Sequence, residues 1–570
     1  VLLLVVLLGL GLSTVPFDWQ TGLIPRSPVP VDAIPNLGDP QQIVYTEWAG
    51  HSPQDVEDQV TYPLTTQLLG LEGVKTVRSH SGFGFSSVTL LFDESMDSQD
   101  QRAQILEKLA SLPRNLLPDG AEPSLGPDAT ALGQIFWYTL QGRDDAGAPA
   151  AGWDLHELRT LQETLVKPAL SAIPGVAEVA SVGGQVREYQ IEVDPLLLRG
   201  YGITLTQVAE AVRQSNRDVG ARTLELNRVE YLIRGIGAVR SVEDLRSVVL
   251  KEGTEARRNV PVVLEDVALL QQGPATRRGA LSINGTEATG GVVTLRAGEN
   301  PASVIAAIKD EITRIAPGLP KRTLHDGQTS HVTIVPFYDR SELIRETLGT
   351  LEEALSLQVL ITLLVVMVMV MHLRSSLLIA ILLPLAVWIS FIWMRVTSVD
   401  ANVVALAGIA ISIGTVVDMG IVLTENILQH LRNRNTPEPG LESSSRSQDF
   451  PDSQASPDSQ PSQASPDSQP SLHTIIRRAT REVAPAIGTA LLTTIVSFLP
   501  VFMLQGEEGR LFTPLAFTKT YVLLSALLIV LLLLPTLATF FFRVDTRSYP
   551  RRTILLTAAG ILVWLLATTW

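Results

Sequence analysis

Six stretches of about 20 residues are almost free of charge, and few folds tolerate that pattern. Runs 354–373, 375–394, 483–505, 520–542 and 553–570 hold no Asp, Glu, Lys or Arg, and 401–424 holds one, Asp418. Each is long enough to cross a hydrocarbon core as a helix. Residues 1–17 are uncharged as well. Pro16, Phe17 and Trp19 close that run, and no Met or basic flank opens it. It reads as a first transmembrane helix, truncated at its start, rather than a signal peptide. The run at 553–570 reads as the start of a seventh helix cut short. The expected fold is therefore a multi-pass α-helical membrane protein.

Composition narrows the function. Charged residues are 18% of the 570, against about a quarter in soluble domains. The net charge of −14 argues against nucleic acid as a partner. The chain has no Cys, which removes disulfides, zinc–thiolate centres, iron–sulfur clusters and thiol nucleophiles together. No phosphate loop, nucleophile elbow or zinc-protease motif is present, so an enzyme is not expected and no cofactor is implied. A pump without a nucleotide site runs on an ion gradient.

Lys and Arg set the orientation. The basic loops are 372–374, 432–434, 477–481 and 543–552, and they read as cytoplasmic. The long stretch from 18 to about 353 then lies outside. The region 438–471 repeats PDSQ three times amid Ser, Gln and Pro and reads as a disordered cytoplasmic loop. A short interfacial helix is expected at 472–482.

The external region alternates strand and helix. Strands are expected at 42–48, 74–79 and 86–92, with helices at 52–71 and 99–111, the beginning of a split βαβ (ferredoxin-like) unit. A second unit shows strands at 134–141, 176–182 and 188–193 and helices at 155–172 and 204–215. A further helix is expected at 303–315.

Asp418 carries the most chemical interest. An ionisable side chain inside a span costs roughly 2.5–3.5 kcal/mol on insertion scales, so it marks function by default. Glu425 lies seven residues on, on the same helical face. Ala410 and Gly414 are spaced to admit a neighbouring helix, which would take Asp418 out of water and let it load and release protons. The bland alternative is a polar contact that only holds helices together. Glu425 reads equally as a relay member or as a cytoplasmic-end carboxylate. His51, His80, His325 and His331 have no firm metal-ligand spacing. Lys519 reads as a snorkelling residue. The metal ligands, if any, are unassigned.

Four segments carry a family resemblance: PVDAIPNLGDPQQIVYTEWAGHSPQDVEDQVTYPLTTQL at 30–68, GPDATALGQI at 126–135, VAEVASVGGQVREYQIEVDP at 176–195 and EEGRLFTPLAFTKTY at 507–521. They resemble the N-terminal half of the heavy-metal efflux branch of the resistance-nodulation-division (RND) transporters, nearest its copper/silver type. The resemblance implies an inner-membrane proton antiporter that exports heavy-metal cations, with a large α+β periplasmic region of porter and docking subdomains. It implies a homotrimer, with a periplasmic adaptor and an outer-membrane channel as partners. On this analogy 18–127 is the first porter subdomain, 128–172 plus 270–330 the second, and 173–269 the docking subdomain. Asp418 takes the place of the family's fourth-helix aspartate and Glu425 that of its nearby glutamate. Neither metal signature is intact: Leu232, Val404, Val416 and Leu423 stand where copper/silver pumps have Met, and Ser412 where the zinc/cobalt type has Asp. Two other readings stand beside this one, an RND exporter of organic compounds and a non-transporting half-length subunit. The first would need an aromatic pocket, to which Phe83, Phe85, Phe136, Trp137 and Tyr138 could contribute.

Overall fold

The computed structural model of the chain describes residues 2–17, 25–35, 37–252, 260–277, 279–325, 327–370, 373–435 and 471–542. The insert expected at 438–471 (apart from Ser471) and the span expected at 553–570 lie outside the described residues. The chain divides into two compact units, Val1–Ile135 with Leu295–Ala306 and Asp339–Trp570, and Phe136–Thr294 with Ala307–Tyr338.

The first unit contains the long apolar helices and one small sheet. Helix α1 spans Leu2–Thr14. Strand β1 (Gln41–Glu47) leads to helix α2, which starts at Pro53 and ends at Leu68 after a π-turn at Glu57–Thr61. Ser52 caps α2 in a capping box with Asp55, and Pro53 sits at its first position, where no N–H is needed. Strands β2 (Val74–Gly82) and β3 (Phe85–Phe92), helix α3 (Ser98–Ala110) and strand β4 (Glu122–Leu125) follow. The sheet order is β2-β3-β1-β4, with β3 and β4 both antiparallel to β1. Alternation places Val44, Val88, Leu90 and Phe92 on one face. Val56, Val60, Leu64 and Leu68, one turn apart on α2, pack onto that face with Ile105 of α3. Burying each such side chain contributes about 1.5–3 kcal/mol.

Among the described residues of this unit, five helical segments are long and apolar enough to cross a membrane. Helix α4 is Arg340–Val370 and α5 is Leu373–Val396. Helix α6 is Val403–Asn435, and α7 is Leu472–Ser497, followed by a 3-10 turn at Leu499–Met503. Helix α8 runs from Gly506 to Phe542 through a π-turn at Ile529–Leu533. Several are longer than a bilayer requires. With 31 residues α4 is about 46 Å long, against a hydrocarbon core of roughly 30 Å. The separate interfacial helix expected at 472–482 does not form. Its residues are the first three turns of α7, which continues through Pro485. Where water cannot take the freed backbone groups, the chain keeps its helix.

The second unit is mixed helix and sheet. Its central sheet joins strands Leu281–Ile283, Thr286–Arg296, Ala129–Arg143, Thr329–Asp339 and Lys321–Thr323 in that order, and Val176–Gly183 pairs with Thr286–Arg296. Asp154 caps the helix that begins at Leu155. Strand Arg187–Val193 pairs with Ala268–Pro274 beside a cluster built on Leu198, Val208, Leu264 and Val267. A hairpin of Val219–Leu226 and Val229–Gly235 turns at Asn227 and Arg228, both at positive φ. Leu224, Val229, Tyr231, Leu232 and Ile233 on this hairpin are exposed.

Candidate functional site

Asn402 starts α6 by accepting the backbone N–H of Ala405 on its side-chain oxygen at 2.8 Å. From there the helix divides into two faces. Ile409, Ile413, Val416, Leu423 and Ile427 are buried among the neighbouring helices. Ile411, Gly414, Asp418, Val422 and Glu425 are exposed, at the spacing that forms one stripe. Asp418 and Glu425 therefore share a face, and neither has a hydrogen-bond or ion-pair partner among the described residues.

The close approach expected at Ala410 and Gly414 lies elsewhere. A Cβ on Gly414 would meet nothing within 4 Å. On Gly408 it would lie 2.3 Å from Thr518 Oγ1 and 2.7 Å from the Leu515 carbonyl of α8. Gly408 is thus where α6 and α8 touch, and the described helices leave the Asp418 face open. Ser412, one turn on, gives its hydroxyl to the Gly408 carbonyl at 2.7 Å. Val416 and Leu423 are buried, while Leu232 of the second unit is exposed.

The C-terminal end of α6 is tied to α7. Asn426 donates its side-chain N–H to the Ala479 carbonyl at 2.9 Å, and His430 Nε2 lies 3.2 Å from Glu482 Oε2. Sequence reasoning passed over both pairs, because a polar residue past a span gives no sign of which helix it meets.

Two arginines near the opposite end, where α6 starts, were also passed over. Arg340, the first residue of α4, is 4% exposed. It pairs with Asp32 at 2.8 Å and donates to the Leu132 carbonyl at 2.7 Å. Asp32 belongs to a segment that bridges to the start of α6: the Ala401 N–H donates to the Pro30 carbonyl, and the Asp32 N–H to Ala401. Burial pushes the Asp32 carboxyl above its ordinary value, although Arg340 and two backbone N–H groups pull the other way. Asp400 is also raised, by burial and then by the charge of Asp32. The second arginine is Arg510, in the second turn of α8. Lys519 stands 3.7 Å above the Phe498 ring, a cation–π contact.

Of the aromatic residues, Phe83 and Phe85 belong to the first unit and Phe136, Trp137 and Tyr138 to the second. Phe136 and Tyr138 are buried in the core of the second unit, with the Tyr138 hydroxyl donating to Gln162 at 3.0 Å. Phe83 is exposed at a hairpin tip. No cluster of three His, Cys, Asp or Glu side chains able to hold a metal occurs among the described residues.

The family profile of the AcrB/AcrD/AcrF transporters matches residues 19–557. The chain belongs to this family, the RND transporters. It is 40% identical over 528 residues to the cation efflux system protein CusA of Escherichia coli (strain K12), covering 92% of this chain and 46% of that protein. The SilA protein of Salmonella typhimurium is 39% identical over 526 residues, with the same two coverages. The cobalt-zinc-cadmium resistance protein CzcA of Cupriavidus metallidurans is 29% identical over 521 residues, covering 91% of this chain and 45% of that protein. A crystal structure of a heavy metal efflux pump superposes with a TM-score of 0.72 at 27% identity, covering 100% of this chain and 51% of that one. The chain spans about half the length of the curated relatives it matches.

Proposed function

We propose that this chain forms the proton-coupled half of a heavy-metal cation exporter in an inner membrane, of the copper/silver rather than the zinc/cobalt type. The observation that carries this reading is Asp418, a carboxyl in the middle of α6, on a stripe with Glu425 that the described helices leave open. No fold-stabilising partner accounts for it among the described residues, and an ionisable group at that depth needs a function. In this reading protonation of Asp418 biases the membrane helices between two arrangements, and that motion opens and closes the external region. Glu425 is either a second relay group or an anchor at the cytoplasmic end.

The external region then comprises two porter subdomains, 18–127 and 128–172 plus 270–330, and a docking subdomain, 173–269. The β-α-β-β-α-β order with sheet order β2-β3-β1-β4 supports a ferredoxin-like porter unit. The exposed apolar hairpin at Val219–Gly235 supports a protein partner there, in keeping with a homotrimer, a periplasmic adaptor and an outer-membrane channel. The identity of 40% to a cation efflux system protein, against 29% to a cobalt-zinc-cadmium resistance protein, leans away from the zinc/cobalt type. An exporter of organic compounds finds less support, since Phe136 and Tyr138 are core residues.

The test is tolerance. The full native reading frame, expressed with its adaptor and channel in a host lacking its own metal exporters, should raise survival in Ag(I) and Cu(I) more than in Zn(II). Asp418→Asn should remove that protection without lowering the amount of protein in the membrane. Protection against organic compounds alone would replace the metal reading.

A further inference from the structure

Arg510 holds α8 to the external sheet through four acceptors. Its Nη1 donates to the Leu37 carbonyl at 3.1 Å, the Gly38 carbonyl at 2.7 Å and Asp39 Oδ1 at 3.1 Å. Its Nη2 donates to Glu94 Oε1 at 2.9 Å. Segment 37–39 enters β1, and Glu94 follows the end of β3. Those two points belong to one rigid piece, because the Phe92 N–H donates to the Pro40 carbonyl and β1 pairs with β3 along its length. One guanidinium thus grips the sheet at the entry of one strand and the exit of its neighbour.

The same helix is locked to α6. The Gly408 contact with Leu515 and Thr518 lies five to eight residues from Arg510, about 8–12 Å along the axis. Asp418 is ten residues beyond Gly408 on α6, about 15 Å further. The carboxyl, the helix contact and the arginine form an unbroken series of rigid elements from mid-membrane to the external sheet.

The ion pairs add little to stability. Asp39 and Glu94 are half exposed, and ion pairs of that kind are worth about 0–1 kcal/mol. What the arrangement fixes is direction. A planar fork with four acceptors on two segments sets both the distance and the tilt of α8 against the sheet, which a lysine's single ammonium cannot do.

We propose that Arg510 is a positioning residue that makes α8 and the β1–β3 sheet move as one body, so that displacement of α6 reaches the external region through α8. The proposal rests on the proton-coupled reading only for the origin of the motion. The Arg510 clamp itself is a statement about two elements moving together.

The experiment uses the native-length protein in proteoliposomes, with cysteines introduced as Phe512→Cys on α8 and Asp100→Cys on α3, both exposed positions, and any other cysteine replaced. Spin labels there report the distance from α8 to the external module. With Arg510 present, one narrow distance is expected at every pH and with or without Ag(I). In Arg510→Ala that distance should broaden or split as the proton gradient is applied. In the label-free protein, Ag(I) turnover should fall about tenfold while KM for Ag(I) stays within about twofold. Arg510→Lys should resemble Arg510→Ala, and it carries the test if the alanine variant does not insert. The proposal is overturned if the variants keep one narrow distance, if they turn over at the wild-type rate, or if the effect lies in KM alone. A labelled wild type whose distance changes with the gradient also overturns it. Asp418→Asn keeps the two outcomes apart: normal transport in that variant removes the proton relay and leaves the Arg510 result standing.

Discussion

Asp418 and Asp32 solve the same electrostatic problem differently. Asp32 is half-buried and has the buried Arg340 at 2.8 Å, whereas Asp418 is open and has no partner among the described residues. The first arrangement is structural. Because burial holds the Asp32 carboxyl above its ordinary value, its ionisation costs the fold stability as pH rises through that raised value. Arg340 offsets that cost. Arg340→Ala should therefore destabilise the protein by about 1–3 kcal/mol at neutral pH, since it leaves a half-buried carboxylate uncompensated. Acid should shrink the loss, because Asp32 then takes up its proton and needs no counter-charge. Melting temperatures in detergent at neutral and mildly acidic pH test this, and a loss independent of pH would contradict it. At Asp418 the effect should fall on transport instead. Asp418→Asn should lose gradient-driven transport with little change in melting temperature, and Glu425→Gln should lose less, as transport assays on the two variants side by side would show. Asp418 was legible in the sequence because charge is conspicuous in an apolar run. Arg340 and Arg510 were not, because arginines at the ends of spans read as ordinary interfacial residues until the fold brings Asp32, Asp39 and Glu94 to them.

Element by element, the apolar runs announced the helices but not their ends or contacts. Helix α6 continues past 424 to Asn435 because Asn426 and His430 find partners on α7. Helix α7 begins at Leu472 and runs on without a break after 482, where the interfacial helix was expected to end. Segment 406–414 offers several small residues, and spacing alone favoured Ala410 and Gly414. Only the fold selects Gly408, through the carbonyl of Leu515. Replacing it tests that selection. Gly408→Ala should force α6 and α8 apart and cost about 1–3 kcal/mol, as overpacking does, whereas Gly414→Ala should be nearly neutral for the stability of these helices. Thermal unfolding of the two variants decides between them, and equal losses would contradict the assigned contact. The hairpin at Val219–Gly235 was missed for a local reason: its turn is Asn227–Arg228, and Arg at positive φ stands where the usual signal is Gly.

For the whole molecule, the family was legible from long motifs between residues 30 and 195 and at the start of α8, while the coupling between lipid and water was not. The described helices cover one face of α6 and leave the Asp418 face open, and the chain spans about half the length of its curated relatives. The central claim is that a proton at Asp418 drives a metal ion outward. The most direct measurement uses inside-out vesicles carrying the native-length protein, with an imposed proton gradient. Uptake of Cu(I), Ag(I), Zn(II), Co(II) and Ni(II) is followed together with proton release, for the wild type and Asp418→Asn. The expected result is gradient-dependent uptake of Cu(I) or Ag(I), coupled to proton movement and abolished in Asp418→Asn. Wild-type uptake in the variant, or no uptake of any metal by correctly inserted protein, would contradict it.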